Sequence, residues 1–408
     1  MGWILPLVIL QTNERNKMTR VLWLCSWYPH PGDPFEGDFI QRHARAVSAY
    51  IPLTVFYTSQ AGPDVSVNRE CHIEQQTEGV HERIMFFRHR RIGIKSIDRF
   101  FYNLRYFHSY KKAVREFIRK EGLPDIVHVH IPMKAGMIGR WIKRTWKIPF
   151  IVSEHSAHYD NKSDDNFYSK SSFHRYNVKR VLSDAAAVTN VSATVGNILK
   201  SLFNLKAVRV IPNTVNTAFF YYAHQAIPKF RFIHVSTLIG HQKNVEGILN
   251  AVLLLSKQRG DFEMVIVGPA TDYLKEKVLA MGLISITRFT GEISYPDVAL
   301  EMQRASALVL FSRYENLPCV VLEALCCGLP VISSDTGGIK EAVDETNGVL
   351  VQSENEKQLS EAMNTMMNEY VKYDREKIAM VATERYKYKT IGRKFYELYD
   401  EVLKAKTV

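Results

Sequence analysis

Short β-branched apolar runs alternate with longer stretches of helical period along almost the whole chain. That alternation is what parallel sheets covered by crossover helices look like in sequence. In the first half, strands are expected over 21–26, 53–58, 83–88, 125–130, 150–153, 186–190 and 208–211. Helices are expected over about 39–50, 99–121 and 134–146. A stretch with few apolar periods, about 213–228, reads as a linker, after which the alternation restarts. Further strands are expected over 230–236, 263–268, 286–290, 307–311 and 330–333, with a helix over 243–258. Beyond 355 the pattern is purely helical, and the last segment, about 390–404, is expected to return to the first half. The reading is therefore α/β, with two doubly wound parallel-sheet domains, 18–215 and 228–388, and a terminal helix over 389–408. Two such domains facing each other bring both sets of strand carboxyl ends to one cleft, where ligands of these sheets bind.

The 408 residues exceed one ordinary domain, and 46% hydrophobic with 23% charged residues exclude a disordered chain. Five cysteines, Cys326 and Cys327 adjacent within an apolar run, suggest neither a disulfide framework nor a zinc site and fit a reducing cytoplasm. Residues 1–10 are apolar, but they have no basic flank or cleavage site; residues 1–17 read as an extension ahead of Met18. Charge is uneven: 31 basic against 18 acidic residues up to position 220, and 22 against 24 after it. The basic half suits a phosphate-bearing acceptor, an anionic membrane surface or nucleic acid, and a solvated surface accounts for it as well. Nucleic acid is set aside, because no recognised binding module accompanies the charge.

The most informative stretch is Phe311-Ser-Arg-Tyr-Glu-Asn-Leu-Pro-Cys-Val-Val-Leu-Glu. A buried strand ends near Phe311, a short loop carries Glu315, and a helix begins near Leu317 or Pro318, a residue suited to a first turn. Free amides and the positive dipole end at a helix mouth suit a diphosphate, and carboxylates there can accept sugar hydroxyls. Taken singly, a helix cap and a solvated helix face account for Glu315 and Glu323 equally well. Lys243, at the start of a helix, is either a flexible phosphate-binding ammonium or a surface lysine. Gly37, ahead of another helix, permits close backbone approach to a ligand or makes a plain turn. His155 follows a strand with His158 beside it, and a lone histidine there is more often structural. His128 and His130 share a strand face without a cysteine or carboxylate to complete a metal site. No Asp-x-Asp triplet, GxSxG elbow, Walker loop or GxGxxG fingerprint occurs. Metal-held diphosphate, hydrolase, ATPase and dehydrogenase chemistries are thereby disfavoured.

Glu315 and Glu323 with seven residues between them are followed in order by Ala324, Gly328, Pro330, Gly337, Gly338, Glu341 and Asn347-Gly348. This series resembles the retaining glycosyltransferases of family 4, in the GT-B group with two Rossmann-like domains, over nearly the whole chain. The resemblance implies an N-terminal acceptor domain, a C-terminal nucleotide-sugar domain, and a last helix crossing back. It implies that Glu315 holds the donor sugar, Glu323 the ribose and Lys243 the diphosphate. Gly37, Arg313, Asn316 and Leu317 complete the expected donor set, and His155 joins Glu315 as a catalytic candidate. Ser192 is also family-like. The chain departs from the pattern at Thr237, where the family has an arginine, and at Asn213-Thr214 in place of Asn-Gly. Arg313 is the nearest substitute considered for the missing cation.

The implied activity is sugar transfer, without metal or other cofactor, from a nucleoside-diphosphate sugar to a glycan or lipid-linked acceptor in bacterial surface polysaccharide synthesis. Two alternatives stand beside it: a nucleotide-sugar epimerase of similar shape, and a non-catalytic carbohydrate- or nucleic-acid-binding protein. The helix over 99–121, rich in arginine, lysine and aromatic residues, is read either as a core helix with a solvated face or as a contact with an anionic membrane. The expected location is the cytoplasm, with the inner face of the cell membrane as the alternative.

Overall fold

The computed structural model describes residues 19–61, 70–88, 92–159, 163, 165–225, 228–238 and 240–407. Residues 1–17, read above as an extension, lie outside the described residues. The first domain runs β1 (Val21–Cys25), α1 (Asp38–Ser48), β2 (Leu53–Gln60), β3 (Glu70–Thr77), β4 (Val80–Phe87), α2 (Lys95–Glu121) and β5 (Ile126–His130). It continues with α3 (Ala135–Trp146), β6 (Phe150–Glu154), α4 (Ser172–Asp184), β7 (Ala187–Asn190), α5 (Ala193–Phe203) and β8 (Arg209–Val210). Its sheet has the order β3-β4-β2-β1-β5-β6-β7-β8 and is parallel except for the β3–β4 pair. The apolar runs form the central strands because both faces are covered: β1 and β5 are buried along their full length.

The second domain runs β9 (Phe230–Val235), α6 (Val245–Ser256), β10 (Phe262–Val267), α7 (Asp272–Ala280), β11 (Thr287–Gly291), α8 (Tyr295–Gln303) and β12 (Ala307–Leu310). It is completed by α9 (Cys319–Cys326), β13 (Val331–Ser334), β14 (Gly348–Val351), α10 (Glu356–Asn368) and α11 (Arg375–Tyr386). The sheet order is β11-β10-β9-β12-β13-β14, all parallel. The order reverses between β1 and β5 in one sheet and between β9 and β12 in the other, so the ligand crevices lie beyond those strand ends.

Three expectations shift. β3, with its polar Glu-Cys-His-Ile-Glu-Gln-Gln-Thr sequence, is an edge strand with no apolar run to announce it. It turns back through Glu78 and Gly79, at φ 47° and 81°, a two-residue hairpin with both φ positive. β4 accordingly starts at Val80 rather than at 83, and α2 starts one turn early, at Lys95. β14 is a further unanticipated edge strand, opening on the Asn347-Gly348 pair.

The last helix, α12 (Tyr388–Thr407), crosses back and packs along α1. Ile391, Phe395, Leu398 and Tyr399 enter one face of the first domain's core. The Tyr399 hydroxyl accepts from Trp23 Nε1 at 3.1 Å and pairs with His128 Nδ1 at 2.7 Å. Where α1 and α12 meet, Gly392 lies against the Ala46 carbonyl, in the space a β-carbon would occupy. Gly392→Ala gains about 1 kcal/mol of helix propensity. Overpacking against rigid backbone costs about 1–3 kcal/mol. The expected net result is a lowered urea midpoint; an equal or higher midpoint would show that the two helices separate freely.

Candidate active site

The loop after β12 and the loop after β9 are zipped together. Arg313 N donates to the Gln242 carbonyl at 2.8 Å, and Gln242 Nε2 to the Tyr314 carbonyl at 3.1 Å. This fixes Lys243 opposite Glu315, with Lys243 Nζ 2.5 Å from Glu315 Oε1. Glu315 is 5% exposed, and Lys243 is the cation beside it. Gly337, at φ 56°, passes beneath the backbone of Glu315 and Asn316, closer than any β-carbon allows, and Gly338 lies as tightly against the side chain of Ser192 in the other domain. Gly338 N also donates to the Asn316 carbonyl at 2.7 Å. α9 follows with Pro318 as its N-cap and no side-chain cap, so its first amides are free for an anion.

Glu323, weighed above as a solvated residue, is buried within α9. It accepts from the Tyr295 hydroxyl at 2.9 Å and forms an ion pair with Arg42 of α1, across the cleft. Burial raises its pKa, and Arg42 opposes that shift. Arg42 also donates to the Tyr295 hydroxyl and lies 3.3 Å from Asp38 Oδ2. Neither Arg42 nor Tyr295 was singled out from the sequence. An arginine on an amphipathic helix reads as solvent-facing, and its carboxylate partner is 281 positions away.

Asn316 bridges the domains: its amide donates to the His155 carbonyl at 3.1 Å, and its Oδ1 accepts from Ser192 Oγ at 2.6 Å. The Leu317 carbonyl accepts from Asn213 Nδ2 at 2.8 Å. Glu341 reaches across to the mouth of α5, accepting from the amides of Ala193 and Thr194, each at 2.8 Å. Arg313 pairs with Glu354 at 2.8 Å and donates to the His241 carbonyl at 2.5 Å. Thr237 is exposed and brings no charge. Gly37 caps α1 at φ 66°, and a β-carbon there would stand 2.8 Å from the Trp27 backbone, so close packing against the β1 loop already requires glycine. Among the described residues, no group of three or more His, Cys, Asp or Glu side chains is placed to hold a metal ion.

His155 lies at the end of β6, its ring stacked 5.4 Å from His130 with Nε2 3.1 Å from His130 Nδ1. His128 and His43 complete a cluster of four imidazoles around Trp23 and Phe395. His43 donates from Nε2 to the Pro212 carbonyl at 3.2 Å. Burial lowers the pKa of His43 to about 4 and those of His128, His130 and His155 well below the ordinary histidine value. All four are therefore neutral at pH 7. His130 belongs to this core cluster, and His155 is its member at the cleft.

Sequence comparison agrees with this architecture. A model of the group 1 glycosyl transferases matches residues 223–385, and one of glycosyltransferase family 4 matches residues 54–219. The chain belongs to the group 1 glycosyltransferases. It is 23% identical to TuaC of Bacillus subtilis, a glycosyltransferase provisionally assigned to teichuronic acid biosynthesis, over 86% of this chain and 90% of that one. It is 25% identical to the alpha-monoglucosyldiacylglycerol synthase of Streptococcus pneumoniae, over 65% of this chain and 64% of the relative. Among solved structures, HepE of Anabaena in complex with UDP superimposes with a TM-score of 0.71 at 16% identity, over 94% of this chain and all of HepE. At that identity the likeness is one of fold, and the fold is GT-B.

The histidine cluster gives this glycosyltransferase a defined acid sensitivity. Each imidazole is neutral when folded but titrates near 6.5 when unfolded, so the unfolded state binds more protons as pH falls. Stability is full above about pH 6.5 and is lost towards pH 4, at up to about 1.4 kcal/mol per pH unit for each histidine. Urea midpoints measured from pH 7.5 to 5 should fall steeply, and His43→Gln should flatten the slope. A midpoint constant over that range would show that the cluster is not neutral.

Proposed function

We propose that the enzyme transfers a sugar from a nucleoside-diphosphate-sugar donor to a glycan or lipid-linked acceptor, with retention of anomeric configuration and without a metal ion. The observation that carries this reading is the pair of buried carboxylates, Glu315 in the loop ahead of the uncapped mouth of α9 and Glu323 within that helix, each held by a cation. In the loaded enzyme Glu315 accepts hydroxyls of the donor sugar, and Glu323 those of the ribose. Lys243 and the free amides of α9 take the charge of the diphosphate. The acceptor hydroxyl attacks C1 from the side the diphosphate leaves. The new C1–O bond forms as the C1–phosphate oxygen bond breaks, and the acceptor proton passes to that phosphate oxygen. His155, neutral and at the cleft, orients the sugar as a hydrogen-bond partner.

The relatives in teichuronic acid and glucosyldiacylglycerol synthesis support a cell-surface glycan or glycolipid product, and the UDP complex makes a uridine nucleotide the first donor to test. A cytoplasmic enzyme at the inner membrane face fits the first turns of α2, where Ile97, Phe100, Phe101 and Leu104 are exposed beside Lys95, Arg99 and Arg105. No helix of the described residues is long and apolar enough to cross a membrane.

A thermal-shift series with UDP, GDP, ADP, TDP and CMP, with and without EDTA, tests the donor reading. Saturation at 100 times the Kd stabilises the fold by about 2.7 kcal/mol. One nucleotide should raise the melting temperature equally in both buffers. A shift abolished by EDTA would overturn the metal-independent reading. Lys243→Ala should lower the transfer rate by about 10²–10³, and an unchanged rate would remove Lys243 from the diphosphate site.

A further inference from the structure

We infer that Arg42, from the acceptor domain, is the second cation of the diphosphate site, so that the donor site is complete only when both domains contribute to it. The inference rests on the nucleoside-diphosphate reading above and names a residue that reading leaves out.

The second domain is short of positive charge where the diphosphate would lie. Lys243 faces the mouth of α9, Arg313 is turned to Glu354 and the His241 carbonyl, and Thr237 is uncharged. A helix terminus adds only about half an elementary charge, and the diphosphate gains a further negative charge as it leaves. Arg42 reaches the same helix from the other domain. It is 5% exposed, pairs with Glu323 of α9, and lies with its guanidinium carbon 5.0 Å over the Tyr295 ring. Arg42 and Lys243 both act electrostatically on the thiol of Cys319, the first residue of α9, and so both lie near the helix entrance.

Its hydrogen bonding is incomplete. One terminal nitrogen donates to Glu323 and Tyr295, and the other lies 3.3 Å from Asp38, but the buried Nε has no partner. Buried donors are normally satisfied, and a guanidinium fork matches phosphate oxygens in particular. In the structure each cation pairs with a carboxylate, Lys243 with Glu315 and Arg42 with Glu323. Donor binding exchanges the partners. Phosphate oxygens take the cations, and the released carboxylates accept hydrogen bonds from sugar and ribose hydroxyls.

The test compares the affinities of the full-length enzyme for UDP, UMP and uridine by calorimetry, in wild type, R42K and R42M. The phosphate contribution is the ratio of UDP to uridine affinity. In R42M this ratio should fall tenfold to a hundredfold, with uridine binding as well or better because Glu323 is freed; R42K should lie between. If R42M folds poorly, R42Q keeps an amide donor against Glu323 without the charge and reads the same ratio. Equal weakening of UDP and uridine would make Arg42 a structural contact between domains and overturn the inference, as would an unchanged ratio. Wild type that binds UDP normally while R42M keeps its ratio refutes only the role of Arg42. Wild type that binds neither UDP nor any other nucleoside diphosphate refutes the donor reading itself, and this inference with it.

Discussion

Carboxylates removed from water must have partners, and in this molecule the partners repeatedly come from the other domain. Glu323 meets Arg42, and Glu341 meets the first amides of α5. An unpaired buried charge costs several kcal/mol, so the Glu323–Arg42 contact favours closure more than an exposed ion pair would; Glu341, half-buried, adds a weaker contact. Asn316 adds a neutral bridge, satisfied at both ends by Ser192 and the His155 carbonyl. The cleft is therefore held by polar groups that include the site carboxylate Glu323 and the loop residue Asn316.

The alternation of apolar runs and helical periods disclosed the central strands because these are buried on both faces. It missed β3 and β14, which lie at sheet edges: one carries polar side chains, and the other is four residues long. Glu315, Glu323 and Lys243 were expected together from the family resemblance of the motif series, and the structure places all three around α9. Arg42 was not expected, since nothing local distinguishes an arginine that pairs across a cleft from one that faces water. The placing of Asn316 and Leu317 at the domain junction was equally hidden, because both contacts join segments more than a hundred positions apart.

The histidines show what a residue type alone cannot disclose. His128 and His130 alternate as metal ligands on a strand would, yet they stack among Trp23, His155 and Phe395. His128 bonds to Ser153 and Tyr399, at 2.7 Å each. The cluster joins the floor of the cleft, through His155, to the returning helix α12, through Tyr399. Neutral imidazoles suit this place, since each offers one donor and one acceptor without a charge to desolvate.

The chain passes between the domains twice, and the two passages lie side by side. Val215 N donates to the Tyr386 carbonyl at 2.9 Å, and Thr214 Oγ1 to the same oxygen at 2.8 Å. A single tether would leave one body free to swivel in any direction about the other. Two tethers fastened together act as the pin of a door, stiff to shear and twist and compliant mainly to swing. Any relative motion of the domains is thereby confined to a swing about that pin, which keeps α1 facing α9.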